Sequence, residues 1–196
     1  MKREVSRPAR FFSSLECVRQ SGMLTGGDAE PGLQTLTNGL SYAAGSTFVW
    51  ELVVNSADSA FRGNLFDAVN LTTAGALAID PAANLSLVFN SQFGSQVNWT
   101  NSFWGSDRQW TIFDNASPVT WNGTFFGTVL VGNDSTGAAL ATARPNASFS
   151  IANSGGDLVL NYQAVPEPGT WGLLGAGLAA LAALGRRQTP PATGTT

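Results

Sequence analysis

The side chains able to do chemistry are few, and most pairings that catalysis needs are missing. The chain has no histidine and a single cysteine, Cys17. Ser-His and Cys-His dyads are therefore excluded, as are histidine-based zinc sites. One thiol can form neither an intrachain disulfide nor a thiolate metal cluster. Cys17 lies near Glu16 and Arg19 in a polar segment and reads as an incidental thiol. Asp107 and Asp114 are the carboxylates to weigh as a glycosidase pair. Such a pair needs one buried and one solvated acid. Asp107 sits in a Gly-Ser-Asp turn before Arg108, and Asp114 precedes Asn115 in another turn, so both read as solvated turn residues. No Asp-x-Asp-x-Asp-Gly calcium loop occurs, and Gly155-Gly156-Asp157 reads as a hairpin turn. No enzyme activity, cofactor or metal is expected.

One grouping has binding chemistry. Trp99, Trp104 and Trp110, with Phe103 and Trp121 nearby, would offer ring faces to a sugar, and Asn98, Asn101 and Gln109 would supply hydrogen bonds. The alternative is that these rings close the end of a β core, and that reading is favoured. The triplets starting at Asn70, Asn84, Asn98, Asn115, Asn122, Asn133 and Asn146 have the Asn-x-Ser/Thr form of glycan acceptors. Abundant Asn and Thr explain them without glycosylation.

The elements that would carry these side chains are strands. Composition is 43% hydrophobic and only 12% charged, with 10% aromatic residues, which supplies a real core and argues against a disordered chain. Net charge is −3, and between residues 33 and 165 the only basic side chains are Arg62, Arg108 and Arg144. Nucleic acid needs clustered Lys and Arg, so it is excluded as a partner. In 47–54, Phe48, Trp50, Leu52 and Val54 fall on one face while Thr47 and Glu51 fall on the other. Leu85, Leu87 and Phe89 alternate with Asn84, Ser86 and Val88, and Leu158, Leu160 and Tyr162 with Asp157, Val159 and Asn161. Segments 110–113, 124–131 and 149–152 are further strand candidates. Turn clusters such as Asn38-Gly39, Asn122-Gly123 and Ser154-Gly155-Gly156 separate them. No window sustains a helical apolar stripe. Residues 33–164 are thus expected to form an all-β domain, as a parallel β-solenoid-like terminal segment or, alternatively, a β-sandwich. Residues 1–32 show no periodicity and are expected to be poorly ordered.

The end of the chain has a different character. Pro166-Glu167-Pro168-Gly169-Thr170-Trp171 leads into an apolar run over 171–185, closed by Arg186-Arg187 and a polar tail, 188–196. Prolines one residue apart deny the chain helix and hold it extended. Trp171 suits the headgroup interface and the arginine pair the cytoplasmic side. As a helix the run spans about 22 Å, short of the ~30 Å hydrocarbon core. Leu173, Leu174, Leu178, Leu181 and Leu184 contribute roughly −0.5 kcal/mol each to insertion. One short C-terminal hydrophobic helix acting as a marginal membrane anchor is expected. Its terminal place, its arginine pair and its lack of a polar face distinguish it from a buried helix of a soluble protein.

This tail, 165–187, resembles a PEP-CTERM sorting domain, with Pro166, Glu167, Pro168, Gly169, Trp171, Arg186 and Arg187 matching its pattern. The resemblance implies export in a Gram-negative bacterium and transient holding in the inner membrane. It further implies recognition by an exosortase-type membrane protease and release to the cell surface or an exopolysaccharide matrix. The chain runs on past the arginine pair, further than such signals usually do. No apolar h-region follows Lys2-Arg3, and Phe11-Phe12 is too short to serve, so a signal peptide is expected to be absent. A terminal fragment of a longer gene, or a miscalled start, is the reading that follows.

The β domain also resembles the closing segment of autotransporter-associated β-strand-repeat proteins, which are parallel β-helices. Gly45-Ser46-Thr47, Trp50-Glu51-Leu52, Phe66-Asp67, 85–90, Phe103-Trp104, Asp107-Arg108-Gln109-Trp110 and 155–162 carry the likeness. The function expected is that of a non-catalytic surface or matrix protein; the alternative is a secreted carbohydrate-binding module.

Overall fold

The computed structural model describes residues 18–20, 23–25, 31–37, 39–72, 76–92, 94–115 and 120–165. The first strands in chain order are β1 (Val18–Gln20), β2 (Met23–Thr25), β3 (Leu33–Leu36), β4 (Leu40–Tyr42) and β5 (Thr47–Leu52). They are followed by β6 (Ala68–Leu71), β7 (Ala76–Ile79), β8 (Asn84–Phe89), β9 (Ser91–Gln92) and β10 (Ser95–Gln96). The last are β11 (Arg108–Asn115), β12 (Thr120–Trp121), β13 (Thr128–Val131), β14 (Ser148–Ser154) and β15 (Asp157–Gln163). One turn of helix, α1 (Leu140–Ala143), interrupts them. The all-β expectation holds.

Alternation accounts for the best-defined strands. Phe48, Trp50 and Leu52 of β5 are buried, as are Leu85, Leu87 and Phe89 of β8. The two strands pair in parallel, Phe48 opposite Leu85, Trp50 opposite Leu87 and Leu52 opposite Phe89. A slip of either strand by one residue would turn its three side chains outward, so the buried face sets the register. Alternation ends one residue earlier than the sequence suggests. Val53, not Val54, is buried, because the chain leaves the ladder after Leu52.

Strands β9 and β10 pair antiparallel with each other, and three sheets take the remaining strands in rotation. The first runs β1-β4-β7-β12 and the second β13-β8-β5-β2, with all neighbours parallel. The third runs β14-β15-β11-β6-β3. Its β3, β6 and β11 are parallel, whereas β15 is antiparallel to both β11 and β14. The β14–β15 hairpin turns on Gly155 and Gly156, whose φ values of 66° and 107° suit a two-residue loop of the mirror-image class. That is the turn expected from Gly155-Gly156-Asp157.

Within 1–32, expected to be poorly ordered, strands β1 and β2 are described. Each is three residues long, too short to show a period, and each is recognisable only by pairing in register with β4 or β5. The same brevity hides β4, and the segment expected as one strand over 124–131 contributes only β13.

Connections from the first sheet to the second are tight: 43–46, 80–83 and 122–127. They stack on one another, Gly45 donating its N–H to the Ala82 carbonyl at 3.0 Å. Asp80 accepts the Ala82 N–H at 2.8 Å. A Cβ at Gly127 would lie 1.9 Å from the Pro81 carbonyl oxygen, so only glycine allows that approach. Connections leaving the second sheet are long: 53–67, 90–107 and 132–147.

The chain divides into two compact units, Met1–Ala164 and Val165–Thr196. The hydrophobic helix expected over 171–185 lies outside the described residues. Among the described residues no helix is long and apolar enough to cross a membrane.

Candidate functional site

The three long connections are fastened to each other by tryptophan. Trp104 stands in a 3-10 turn, Ser102–Gly105, which Asn101 caps by accepting the Phe103 N–H at 2.9 Å. Its indole N–H reaches into 53–67 and donates to Asn55 Oδ1 at 2.8 Å. The Trp110 indole donates to the Ser56 carbonyl in the same connection, also at 2.8 Å. Trp99 reaches the other way, its indole donating to the Ala138 carbonyl at 2.9 Å. Arg144 returns the link, its Nε donating to the Trp99 carbonyl at 2.8 Å. A buried indole left unpaired would cost the desolvation of its N–H, and each of these has found an acceptor.

The rings pack edge to face. Trp99 and Trp104 have centroids 4.6 Å apart at 71°, Phe89 sits 4.6 Å from Trp99, and Tyr162 lies 4.9 Å from Trp104. Trp99 and Trp104 are 0% exposed and Trp110 is 1% exposed. No face of the three rings is presented to solvent, so they do not form a sugar-stacking platform. All three belong to the buried hydrophobic cluster. The polar neighbours are likewise engaged. Asn98 Oδ1 accepts from the Thr100 N–H and hydroxyl, and Gln109 Nε2 donates to Asn161 Oδ1 at 2.9 Å.

The carboxylates are held apart. Asp107 and Asp114 lie at the two ends of β11, and seven residues of extended chain span about 23 Å. The carboxyl groups of a glycosidase pair stand roughly 5–9.5 Å apart. Asp114 instead forms an ion pair with Arg62 at 2.7 Å, while Arg62 also donates to Asn70 Oδ1 at 2.6 Å. Asp107 Oδ1 accepts the Ala164 N–H at 2.8 Å. Among the described residues no group of three or more His, Cys, Asp or Glu could hold a metal ion.

Among the described residues three carboxylates are buried: Glu51, which alternation places on the face opposite Trp50, Asp67 and Asp134. Asp67 accepts the Gly32 N–H at 2.7 Å and the Glu51 N–H at 2.9 Å. Asp134, 4% exposed, accepts from the Trp99 N–H with Oδ2 and from the Thr136 N–H, Thr136 hydroxyl and Ala138 N–H with Oδ1. Burial alone would raise its pKa. The hydrogen bonds from Trp99, Thr136 and Ala138 outweigh that and hold the carboxyl below its ordinary value. The Asp-Ser-Thr-Gly run at 134–137 carries a turn signal, but its bond to Trp99, 35 residues away, carries none.

The last strand leads out of this cluster. β15 lies between β14 and β11, and the Tyr162 hydroxyl donates to the Trp104 carbonyl at 2.9 Å. Burial raises the Tyr162 pKa, with Asp107 adding to the rise and Arg144 and Arg108 opposing it. Val165 is 40% exposed. Pro166, Glu167, Pro168, Gly169, Trp171, Arg186 and Arg187 lie outside the described residues.

Residues 164–187 match the family model of the PEP-CTERM protein-sorting motif. That motif is the recognition signal of exosortase, a membrane protease, and it points to transient membrane anchoring and sorting to the cell surface. No curated protein and no solved structure matches the chain.

Proposed function

We propose that the chain is a non-catalytic surface or extracellular-matrix protein of a Gram-negative bacterium, structural or adhesive in role and delivered through its C-terminal signal. The observation that carries the sorting is the motif at 164–187. The matrix role is supported by a β unit whose chemistry is passive. Arg62, Arg108 and Arg144, the basic side chains between residues 33 and 165, are all bonded within the fold. Asp107 and Asp114 are engaged separately, Asp107 with the Ala164 N–H and Asp114 with Arg62.

Strands that enter three sheets in rotation, in parallel and in register, support a β-solenoid rather than a sandwich of two sheets. This winding agrees with the likeness to autotransporter-associated repeats. Partnership with exopolysaccharide belongs to the same proposal. The carbohydrate-binding alternative through Trp99, Trp104 and Trp110 has no observation in its favour, since the rings are buried.

The test is fractionation of the full chain, carried behind a secretion leader, in cells with and without an exosortase. Membrane association without the protease and a shortened, released form with it are expected. Replacing Pro166, Glu167 and Pro168 by alanine should leave the chain uncut. Full-length, water-soluble protein in both hosts would overturn the sorting.

A further inference from the structure

The chain leaves its folded unit through a bond that lies beyond both strand ladders. The last pairs of β15 are Arg108 with Tyr162 on one side and Ser148 with Gln163 on the other. One residue further, the Ala164 N–H donates to Asp107 Oδ1 at 2.8 Å. Tyr162 is buried beneath, tied through its hydroxyl to the Trp104 carbonyl. Pro166 has no N–H with which pairing could continue. The matched sorting motif starts at Ala164, so the fold grips the motif at its first residue.

Peptides are commonly taken up extended, bound through main-chain hydrogen bonds. Sheet and protease cleft then compete for the same backbone groups on the upstream side of the motif. We propose that Asp107 is a positioning residue for processing: its carboxylate fastens Ala164 and withholds the upstream side of the motif until the chain peels from β11 and β14. The proposal rests on the sorting reading above. Asp157 supplies an internal control. Its Oδ1 accepts the Asn115 N–H at 2.9 Å, a bond of the same kind at the opposite end of the same strand.

The experiment produces the full chain, behind a secretion leader, together with an exosortase, and follows loss of the C-terminal segment by mass spectrometry over time. Asp107→Ala should be processed about fivefold faster than the unaltered chain, the factor that one ordinary hydrogen bond carries. Asp107→Asn keeps an uncharged acceptor and should fall between them. Asp157→Ala should be processed at the unaltered rate. A Gly-Ser-Gly-Ser insertion between Val165 and Pro166 supplies slack and should erase the effect of Asp107→Ala. Equal rates for Asp107→Ala and the unaltered chain, or equal acceleration by Asp157→Ala, overturn the latch and leave the sorting intact. No exosortase-dependent product from any variant, the insertion included, overturns the sorting reading and the latch together.

Discussion

Between the first and second sheets the chain turns within 43–46, 80–83 and 122–127, whereas it leaves the second sheet through 53–67, 90–107 and 132–147. The short corners are held by backbone. Gly45 bonds the Ala82 carbonyl, and Gly127 presses on Pro81 where no Cβ fits. The long connections are held by side chains instead: the Trp99 and Trp110 indoles, the Asn55 amide and the Asp134 carboxylate each bond to backbone of another segment, and the Trp104 indole reaches the Asn55 side chain. A corner of four to six residues can rely on sterics. A connection of fifteen to eighteen residues must find its own partners, and large amphipathic rings are suited to that because they fill volume and carry one donor.

The comparison breaks most visibly on the long side. Trp104→Ala should destabilise the fold by about 4 kcal/mol, through the cavity and the loss of its neighbours' ring contacts. Equilibrium denaturation followed by circular dichroism measures it; a loss below about 1 kcal/mol would mean the cluster is not the anchor described. On the tight side, Gly127→Ala should cost about 2 kcal/mol, since the new Cβ must push the Pro81 peptide away. Full stability in that variant would show that the corner yields freely.

Acid should loosen the long side selectively. The Asp134 carboxyl has a folded pKa below its unfolded value of 3.8. Its contribution is therefore complete above that value and is lost as pH falls through the lower folded one. The stability gap between the unaltered chain and Asp134→Asn should be wide at neutral pH and narrow toward pH 3. A gap independent of pH would count against the carboxylate as the reason Trp99 stays in place.

The smallest effect is expected in the first sheet, at Tyr42. Its ring packs against Phe48, Phe113 and Phe126, and burial raises its pKa well above the ordinary phenol value. Among the described residues its hydroxyl has no hydrogen-bond partner. Tyr42→Phe removes a buried polar atom that gains nothing and should leave stability unchanged or raise it by up to about 1 kcal/mol. A marked loss in thermal unfolding would mean that the hydroxyl is satisfied after all.

The sequence by itself determined two things about this protein. Period-two alternation identifies β5, β8 and β15, because burial on one face of a strand is a local constraint on side-chain type. The prolines, apolar run and arginine pair identify the sorting signal, because a membrane and a protease read the chain as a line rather than a fold. Tertiary structure decided the rest. Strands of two to four residues carry no period and exist through their partners, as β1 does through β4. The tryptophans look the same in sequence whether exposed or buried; three long connections converging on one side of the sheets turned their faces inward and made them a core. Asp107 and Asp114, seven positions apart, were separated by the extension of β11, and only folding brought Asp107 to Ala164.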